Sequence, residues 1–338
     1  MKKIIVTGGC GYIGSHTIVE LLRNDYEVVS IDNLSRSEAK VLKGIANITG
    51  IEVQNIKADL ANETEAKNAF DKIGGADGII HFAAYKSVRE SVKKPQLYFD
   101  NNINSLKNVL DCANKKGIKH FVFSSSCSVY GNTKVLPVRE DTIFGKAESP
   151  YAATKQDGEK LVADFSKSHS LNSISLRYFN PVGAHPSIEI GESPIGVPEY
   201  LVPYITQTAI GKRVCLSIYG NDYNTPDGTC IRDYIHVVDI ASAHRKALHY
   251  LLESSSSPIY EVFNLGTGNG ISVLEAVKAF EKVSGKKLNY KIVDRRPGDV
   301  EAIYANNNKA REILHWQPKH TIEDMMLSAW KWEQKNVF

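Results

Sequence analysis

Short apolar runs alternate with amphipathic stretches through the first half of the chain. Lys3–Thr7 is an apolar run, and after a glycine-rich break Ile13, Ile18, Leu21 and Leu22 fall at helical spacing. A second run, Glu27–Ile31, is β-branched and ends at Asp32. Further strands are expected at Glu52–Ile56, Gly78–Phe82, Lys119–Ser124 and Ser173–Tyr178. Helices are expected at Glu63–Ile73, Gln96–Lys116 and Tyr151–His169, with Gly117 where a helix C-cap belongs. Strands that are almost continuously apolar and separated by helices imply a parallel sheet buried on both faces, with right-handed crossovers. The expected fold class is therefore α/β: a doubly wound, parallel-sheet dinucleotide-binding domain of the Rossmann type.

The pattern changes near Asn180. His185–Pro203 is rich in Gly and Pro and reads as a loop, as does the polar stretch Gly220–Thr229. Beyond them, short strands (Tyr260–Leu265, Leu288–Val293) mix with helices (Ser272–Val283, Ile322–Gln334). This predicts a smaller α+β substrate domain over 181–338 beside the sheet domain over 1–180. Asp233–Tyr250 reads as strand plus helix and leaves the boundary open, since it could return to the first sheet. No internal repeat is present.

Composition narrows the function. Among 338 residues, 41 basic and 38 acidic side chains are interspersed for a net charge of +3, so no basic face for a nucleic-acid partner is expected. No apolar run approaches the roughly 18–20 residues that span a bilayer. The apolar stretch after Met1-Lys2-Lys3 stops at Thr7, too short for a signal peptide. Five cysteines without paired spacing argue against a disulfide framework or a metal site, and point to reduced thiols in the cytoplasm. The histidines show no ligand spacing and read as structural or solvent-facing.

Candidate chemistry begins at Gly8, Gly11 and Gly14, spaced G-x-x-G-x-x-G between the first strand and the first helix. Glycine there permits a tight turn and close backbone approach to a pyrophosphate, which the helix N-terminus then faces with free N–H groups. Asp32 lies 18 residues after Gly14. A carboxylate there accepts hydrogen bonds from the adenosine ribose and repels a 2′-phosphate, favouring NAD over NADP. Arg36, four residues on, is a counter-signal. Asp59 and Leu60 follow the third strand, where Asp59 either borders the adenine or caps a helix.

Tyr151 and Lys155 form Tyr-x-x-x-Lys, so both side chains share one helix face. A tyrosine near pKa 10 is a poor base at neutral pH. An adjacent ammonium and a cationic nicotinamide favour its phenolate, which can take a proton from a sugar hydroxyl as hydride leaves the same carbon. Ser124-Ser125-Ser126 offers a hydroxyl for the reacting oxygen, or caps for the strand end.

These segments together carry a resemblance. Thr7-Gly8-Gly9-Cys10-Gly11-Tyr12-Ile13-Gly14, Asp32-Asn33-Leu34, His81-Phe82-Ala83-Ala84, Ser124–Gly131 and Tyr151-x-x-x-Lys155 resemble the extended short-chain dehydrogenase/reductases. The second half is more specific. Leu176–Pro186, Tyr219–Tyr223, Asp227-Gly228-Thr229, Arg232–Val237 and Arg295–Asp299 resemble the UDP-glucose 4-epimerase family, in the same order along nearly the whole chain.

The resemblance implies roles. Tyr151 is the base, Lys155 lowers its pKa and holds the nicotinamide ribose, and Ser126 is the catalytic hydroxyl. Tyr12, Ile13, Asn33, Leu34 and Ser37 join the glycines and Asp32 on the cofactor, with Phe82, Ala83 and Ala84 beside them. Lys86, Asn101 and Ser124 are further cofactor contacts, and Tyr178 and Phe179 border the nicotinamide. Asn180, Arg232, Arg296 and Asp299 hold the UDP, Tyr219 lies beside the uracil, and Tyr200 and Leu201 border the sugar. The implied reaction is reversible 4-epimerisation of UDP-glucose and UDP-galactose in galactose metabolism, with tightly held NAD. Tyr151 removes the C4 hydroxyl proton, a 4-keto sugar turns about the anchored diphosphate, and hydride returns to its other face. A homodimer through Gln96–Lys116 and Tyr151–His169 is also implied.

Three positions depart from the family pattern: Glu199-Tyr200 replaces an Asn-Asn pair, a bulky Ile303 stands where room for an N-acetyl group is set, and Arg36 replaces an Asn. UDP-N-acetylhexosamine, UDP-pentose and UDP-uronate stay open as substrates. A 4,6-dehydratase needs an added acid, which Ser126-Cys127-Ser128 lacks. A non-catalytic NAD-binding sensor would have lost Tyr151 or Lys155, and both are present.

Overall fold

Ile4, Ile5 and Val6 are wholly buried, but they serve different cores. Ile4 and Val6 join Val28, Ile80, Val122 and Phe263 on one side, while Ile5 joins Val29, Ile79, Phe121 and Val162 on the other. The two-residue period of a strand sends alternate side chains to opposite faces, so a run apolar at every position lies in the middle of a three-layer sandwich. The computed structural model describes residues 1–254, 260–296 and 299–336.

Six strands of the first half are Lys2–Thr7 (β1), Tyr26–Ile31 (β2), Gln54–Ile56 (β3), Gly78–His81 (β4), His120–Ser126 (β5) and Asn172–Tyr178 (β6). With Tyr260–Leu265 they form a wholly parallel sheet in the order Tyr260–Leu265, β6, β5, β4, β1, β2, β3. The order reverses between β1 and β4, which opens a crevice at the carboxyl ends of those two strands. The loops that follow β1 and β4 face each other across it.

The expected helices form at Tyr12–Leu22, Glu63–Ile73, Pro95–Lys115 and Pro150–His169. Gly117 takes φ +69° just past the third of these, the left-handed turn that ends a helix. A helix at Lys40–Thr49, absent from the expected elements although Val41, Leu42, Ile45 and Ile48 fall at helical spacing, packs against the first helix; only Gly44 and Ile45 of it are buried.

The second half divides. Val237–Glu253 packs against the first helix, and Tyr260–Leu265 becomes the edge strand beside β6, so much of 237–265 returns to the large sheet. Tyr234–His236 does not; it pairs with Asn180–Val182 in a separate two-stranded sheet. Much of the rest gathers around Phe280, Met325, Met326 and Trp330, with the Phe280 and Trp330 rings edge-to-face at 5.6 Å, while Ala310, Leu314 and Trp316 pack back on the core around Ile4 and Val6. The stretch 185–203, expected as loop throughout, ends in a helix that begins at Leu201.

Candidate functional site

The glycine loop is shaped by contact rather than by flexibility alone. Gly8 has φ +69°, and a Cβ on it would lie 2.8 Å from the Ala83 backbone nitrogen on the loop after β4. A Cβ on Gly14 would collide with the Gly8 carbonyl oxygen, which accepts the Gly11 N–H at 3.0 Å. Gly11 caps the first helix without a side chain, so the first-turn N–H groups lack a side-chain partner and face the crevice. Asp32, at the end of β2, is fixed on both oxygens. Oδ2 accepts Cys10 N–H at 3.0 Å, and Oδ1 accepts Leu34 N–H at 2.8 Å and Ser37 Oγ–H at 2.9 Å.

These features head a cleft of about 1090 Å³. Tyr12, Ile13, Asn33, Ser37, Asp59 and Leu60 line it with the three glycines and Asp32. Phe82, Ala83, Ala84, Lys86 and Asn101 form its next wall, and Ser124, Tyr151, Lys155, Tyr178 and Tyr200 its far end. Leu34 and Phe179 are not on its surface. Leu34 serves Asp32 through its backbone, and Phe179 is buried with Val129, Tyr130 and Ile303. Asp59 does not cap the following helix; Asn62 does, accepting Glu65 N–H at 3.1 Å.

Tyr151 and Lys155 are positioned by a helix start that the sequence encodes. Ser149 Oγ accepts Ala152 N–H at 3.1 Å, and Pro150 occupies the first helical turn. Lys155 Nζ donates to the Ser124 carbonyl at 2.7 Å and lies 5.9 Å from the Tyr151 ring centre. Burial lowers Lys155 to about 8, against the pull of Glu159. Burial also raises Tyr151 well above its usual value, while its hydrogen bond with Ser126 lowers it. In the chain alone, desolvation thus outweighs the expected activation by the ammonium. Ser126 Oγ also accepts Ser128 N–H at 3.2 Å, the capping role read for it. Ser124 Oγ is bonded to Tyr178 Oη at 2.5 Å.

A second constellation lies off the cleft lining. Arg296 grips Asp299 with Nε at 3.1 Å and Nη2 at 2.6 Å, and Arg232 Nη2 stands 3.7 Å from the same carboxylate. The Arg296 guanidinium sits 5.4 Å from the Tyr219 ring centre. Pro297 and Gly298, which complete the motif, lie outside the described residues. Asn180 N–H donates to the Asp233 carbonyl at 2.9 Å, and Leu201 packs on the core around Phe280. Ile303, expected to bound the sugar, is buried beside Phe179 and pairs in register with Arg232. Asp233 is a structural staple: its carboxylate accepts Thr267 N–H at 2.8 Å, Thr267 Oγ–H at 2.6 Å, and Gly268 and Ala305 N–H at 3.1 Å each.

The sequence pattern did not reveal what crosses the cleft. Lys86 Nζ pairs with Glu192 at 3.0 Å, Ser87 Oγ donates to Glu199, and Tyr200 Oη donates to the Lys86 carbonyl at 2.9 Å. The run 189–200 is thereby tied to the loop after β4. The density of acids in a Gly/Pro-rich stretch was the available signal. Among the described residues no acid, His and Cys group fits a metal ion, and no helix is long and apolar enough to cross a membrane.

Comparison with known proteins agrees with this geometry. The family model described as GDP-mannose 4,6 dehydratase matches residues 5–328. The chain is 47% identical to the UDP-glucose 4-epimerase of Bacillus subtilis over 335 residues, covering 99% of this chain and 97% of that one. Its fold is similar to the crystal structure of the Stenotrophomonas maltophila UDP-glucose 4-epimerase with bound NAD and formylated UDP-arabinopyranose. That likeness has a TM-score of 0.96 and 42% identity, over 100% of this chain and 99% of that one. It is likewise similar to the Bifidobacterium longum UDP-glucose 4-epimerase in complex with NAD⁺ and UDP, with TM-score 0.94, 42% identity and 99% of both chains covered.

Proposed function

Because the chain belongs to the UDP-glucose 4-epimerases of the extended short-chain dehydrogenase/reductase family, we propose the following mechanism for it. The enzyme is an NAD-dependent isomerase that interconverts UDP-glucose and UDP-galactose through a 4-keto sugar. The observation that carries this reading is the meeting of two ends in one cleft. The glycine loop and Asp32 stand at one end, and Tyr151, Lys155 and Ser124 at the other.

The tight turn that Gly8 and Gly14 permit, where a Cβ would strike the backbone of Ala83 and Gly8, the open helix N-terminus and the acid at the end of β2 fit a dinucleotide with an unphosphorylated ribose. Bound NAD supplies the two-electron acceptor and donor for C4. Tyr151 takes the C4 hydroxyl proton and later returns it to the reduced carbon's oxygen. Its high pKa in the chain alone falls when a positive charge lies over it, so the base forms only in the loaded site. Lys155 contributes its ammonium to that field and its donors to a ribose. Ser126 holds the C4 oxygen between the two half-reactions. Arg232 and Arg296 take the diphosphate and Tyr219 lies against the uracil, so the nucleotide stays anchored while the sugar turns. Remote binding energy is thereby used for position at C4.

The same reading divides the chain near residue 180 into a cofactor part and a UDP-sugar part, with most of 237–265 belonging to the first. It places the enzyme in the cytoplasm, in keeping with five unpaired thiols. It also makes the enzyme a homodimer through the adjacent helices Pro95–Lys115 and Pro150–His169. Light scattering on a sizing column tests the dimer.

The activity test uses purified protein and UDP-galactose with no added NAD, followed at the 4-position by proton NMR. Appearance of UDP-glucose is the expected result. No conversion, even with NAD supplied, would overturn the hexose assignment, and UDP-pentose and UDP-uronate would be tried next. UDP-N-acetylgalactosamine in parallel reads the effect of Tyr200 on sugar choice.

A further inference from the structure

Arg36 lines the same cleft as Asp32, four residues further along the chain. The two carry opposite messages. An acid at this place takes the free ribose hydroxyls, while a nearby arginine accommodates a 2′-phosphate. The structure shows how the conflict is resolved. Arg36 Nη2 donates to both carboxylate oxygens of Glu90 at 2.9 Å, and its guanidinium lies 4.8 Å from the Tyr85 ring centre. The cation is therefore neutralised by an acid and held over an aromatic face.

Glu90 is itself prepared for this task. Tyr98 Oη, on a wholly buried side chain, donates to Glu90 Oε2 at 3.1 Å. Ser87 Oγ accepts the Glu90 N–H at 3.0 Å, and Lys94 Nζ lies 4.0 Å from Oε1. Asp32 cannot turn aside, because Cys10, Leu34 and Ser37 bind both of its oxygens. The Arg36 side chain is half exposed, so the pair contributes little to stability. Its arrangement matters for what the cleft admits.

We infer that Glu90 is a cofactor-selectivity residue: by holding Arg36 against Tyr85, it withholds that cation from a ribose 2′-phosphate and leaves Asp32 to reject it. The inference rests on the cleft being an NAD site. Selectivity here comes from removing a contact to the wrong ligand rather than adding one to the right ligand.

The test is calorimetric titration of NAD⁺ and NADP⁺ into protein freed of nucleotide, comparing the unaltered chain with Glu90→Gln, Glu90→Ala and the pair Glu90→Gln with Arg36→Met. Glu90→Gln keeps the side-chain shape and a carbonyl for Tyr98, and thermal melting reports whether each variant folds. Both single variants should gain NADP⁺ affinity relative to NAD⁺ by about tenfold or more, the scale of one charge-assisted hydrogen bond. The double variant should return to the original ratio. A ratio unchanged in folded Glu90→Gln, or a gain that survives Arg36→Met, would overturn the inference while leaving the NAD site intact. An unaltered chain that binds neither nucleotide would overturn the site reading and the inference together.

Discussion

The two regions proposed to bind cofactor and substrate are built on different principles. At the glycine loop the ligand-facing groups are backbone N–H donors and one carboxylate, and every one is fixed by the fold. Gly8 is set by contact with the Ala83 backbone, and Asp32 by three hydrogen bonds. At the Arg232–Arg296–Asp299 cluster the groups proposed to meet the diphosphate are long side chains already engaged with each other. The first region is ready and loses affinity only when its shape is spoiled. The second exchanges partners, so its affinity is the difference between two sets of charged hydrogen bonds. A cofactor that stays and a substrate that leaves suit these two constructions.

The strongest way to break the symmetry of this comparison is to disable the chemistry while leaving both regions whole. Tyr151→Phe removes the proton-transfer group, and kcat should fall by roughly 10²- to 10⁴-fold. NAD content and UDP affinity should stay near those of the unaltered enzyme. Turnover measured by NMR beside UDP titration checks this, and a comparable loss of UDP binding would assign Tyr151 to substrate binding instead.

The next effect strikes the fixed region alone. Gly14→Ala drives a Cβ into the Gly8 carbonyl, where backbone cannot move aside. Overpacking of this kind costs roughly 1–3 kcal/mol. It should appear as loss of nucleotide from the purified protein, read by absorbance after denaturation, with UDP affinity unchanged. Full retention of NAD would mean that the loop has more freedom than its contacts allow.

The same contrast explains what was legible in the sequence. Gly8, Gly11, Gly14 and Asp32 act over short chain distances, and Tyr151 and Lys155 share one helical face, so spacing read together with the flanking strands and helices points to them. Element types followed from periodicity for the same reason. The partners across the cleft were not legible. Lys86 meets Glu192 and Ser87 meets Glu199 over 106 and 112 residues, where spacing carries no information. The return of Tyr260–Leu265 to the edge of the large sheet was hidden too, since an apolar strand does not encode which sheet it joins. The helix Lys40–Thr49 was legible and missed, since Val41, Leu42, Ile45 and Ile48 keep helical spacing and pack on the core around Ile4 and Val6. Ile303 and Phe179, singled out by motif resemblance, are buried together beside Val129 and Tyr130, a packing that spacing does not encode.

A smaller effect sharpens the description of the exchanging region. Arg296→Ala should raise KM for UDP-galactose about ten- to a hundredfold, the scale of hydrogen bonds to a charged group, with little change in kcat or NAD content. Arg296→Lys keeps the charge but loses the planar fork, so it should fall between. Initial rates over a range of substrate separate the two parameters. If the lysine variant matches the native enzyme, charge alone anchors the diphosphate and the fork geometry is irrelevant.

The smallest effect concerns the seam between the two regions, which is packed with neutral histidines. His16 Nδ1 bonds the Tyr12 carbonyl at 2.7 Å, and the His16 and His185 rings lie 6.3 Å apart. His236 bonds Ser328 Oγ at 3.2 Å and stacks on His320 at 4.2 Å. Burial lowers His16 to about 3 and His185 and His236 to about 4. Groups with lowered folded values contribute stability that is fully present above the ordinary value near 6.5 and lost as the pH falls below it. His320 acts in the opposite sense, since its hydrogen bond to Asp239 raises it, and its contribution fades as pH rises through that raised value. Three lowered groups in the seam against one raised group, with His81, His120 and His244 also lowered by burial elsewhere, give net destabilisation in acid, with a slope of at most about 1.4 kcal/mol per pH unit for each histidine. The melting temperature should therefore fall steadily from pH 7 to pH 5, and His16→Gln should flatten that fall. A melting temperature independent of pH over this range would mean that the seam opens to water before its histidines charge, and that the two regions are joined less firmly than their packing indicates.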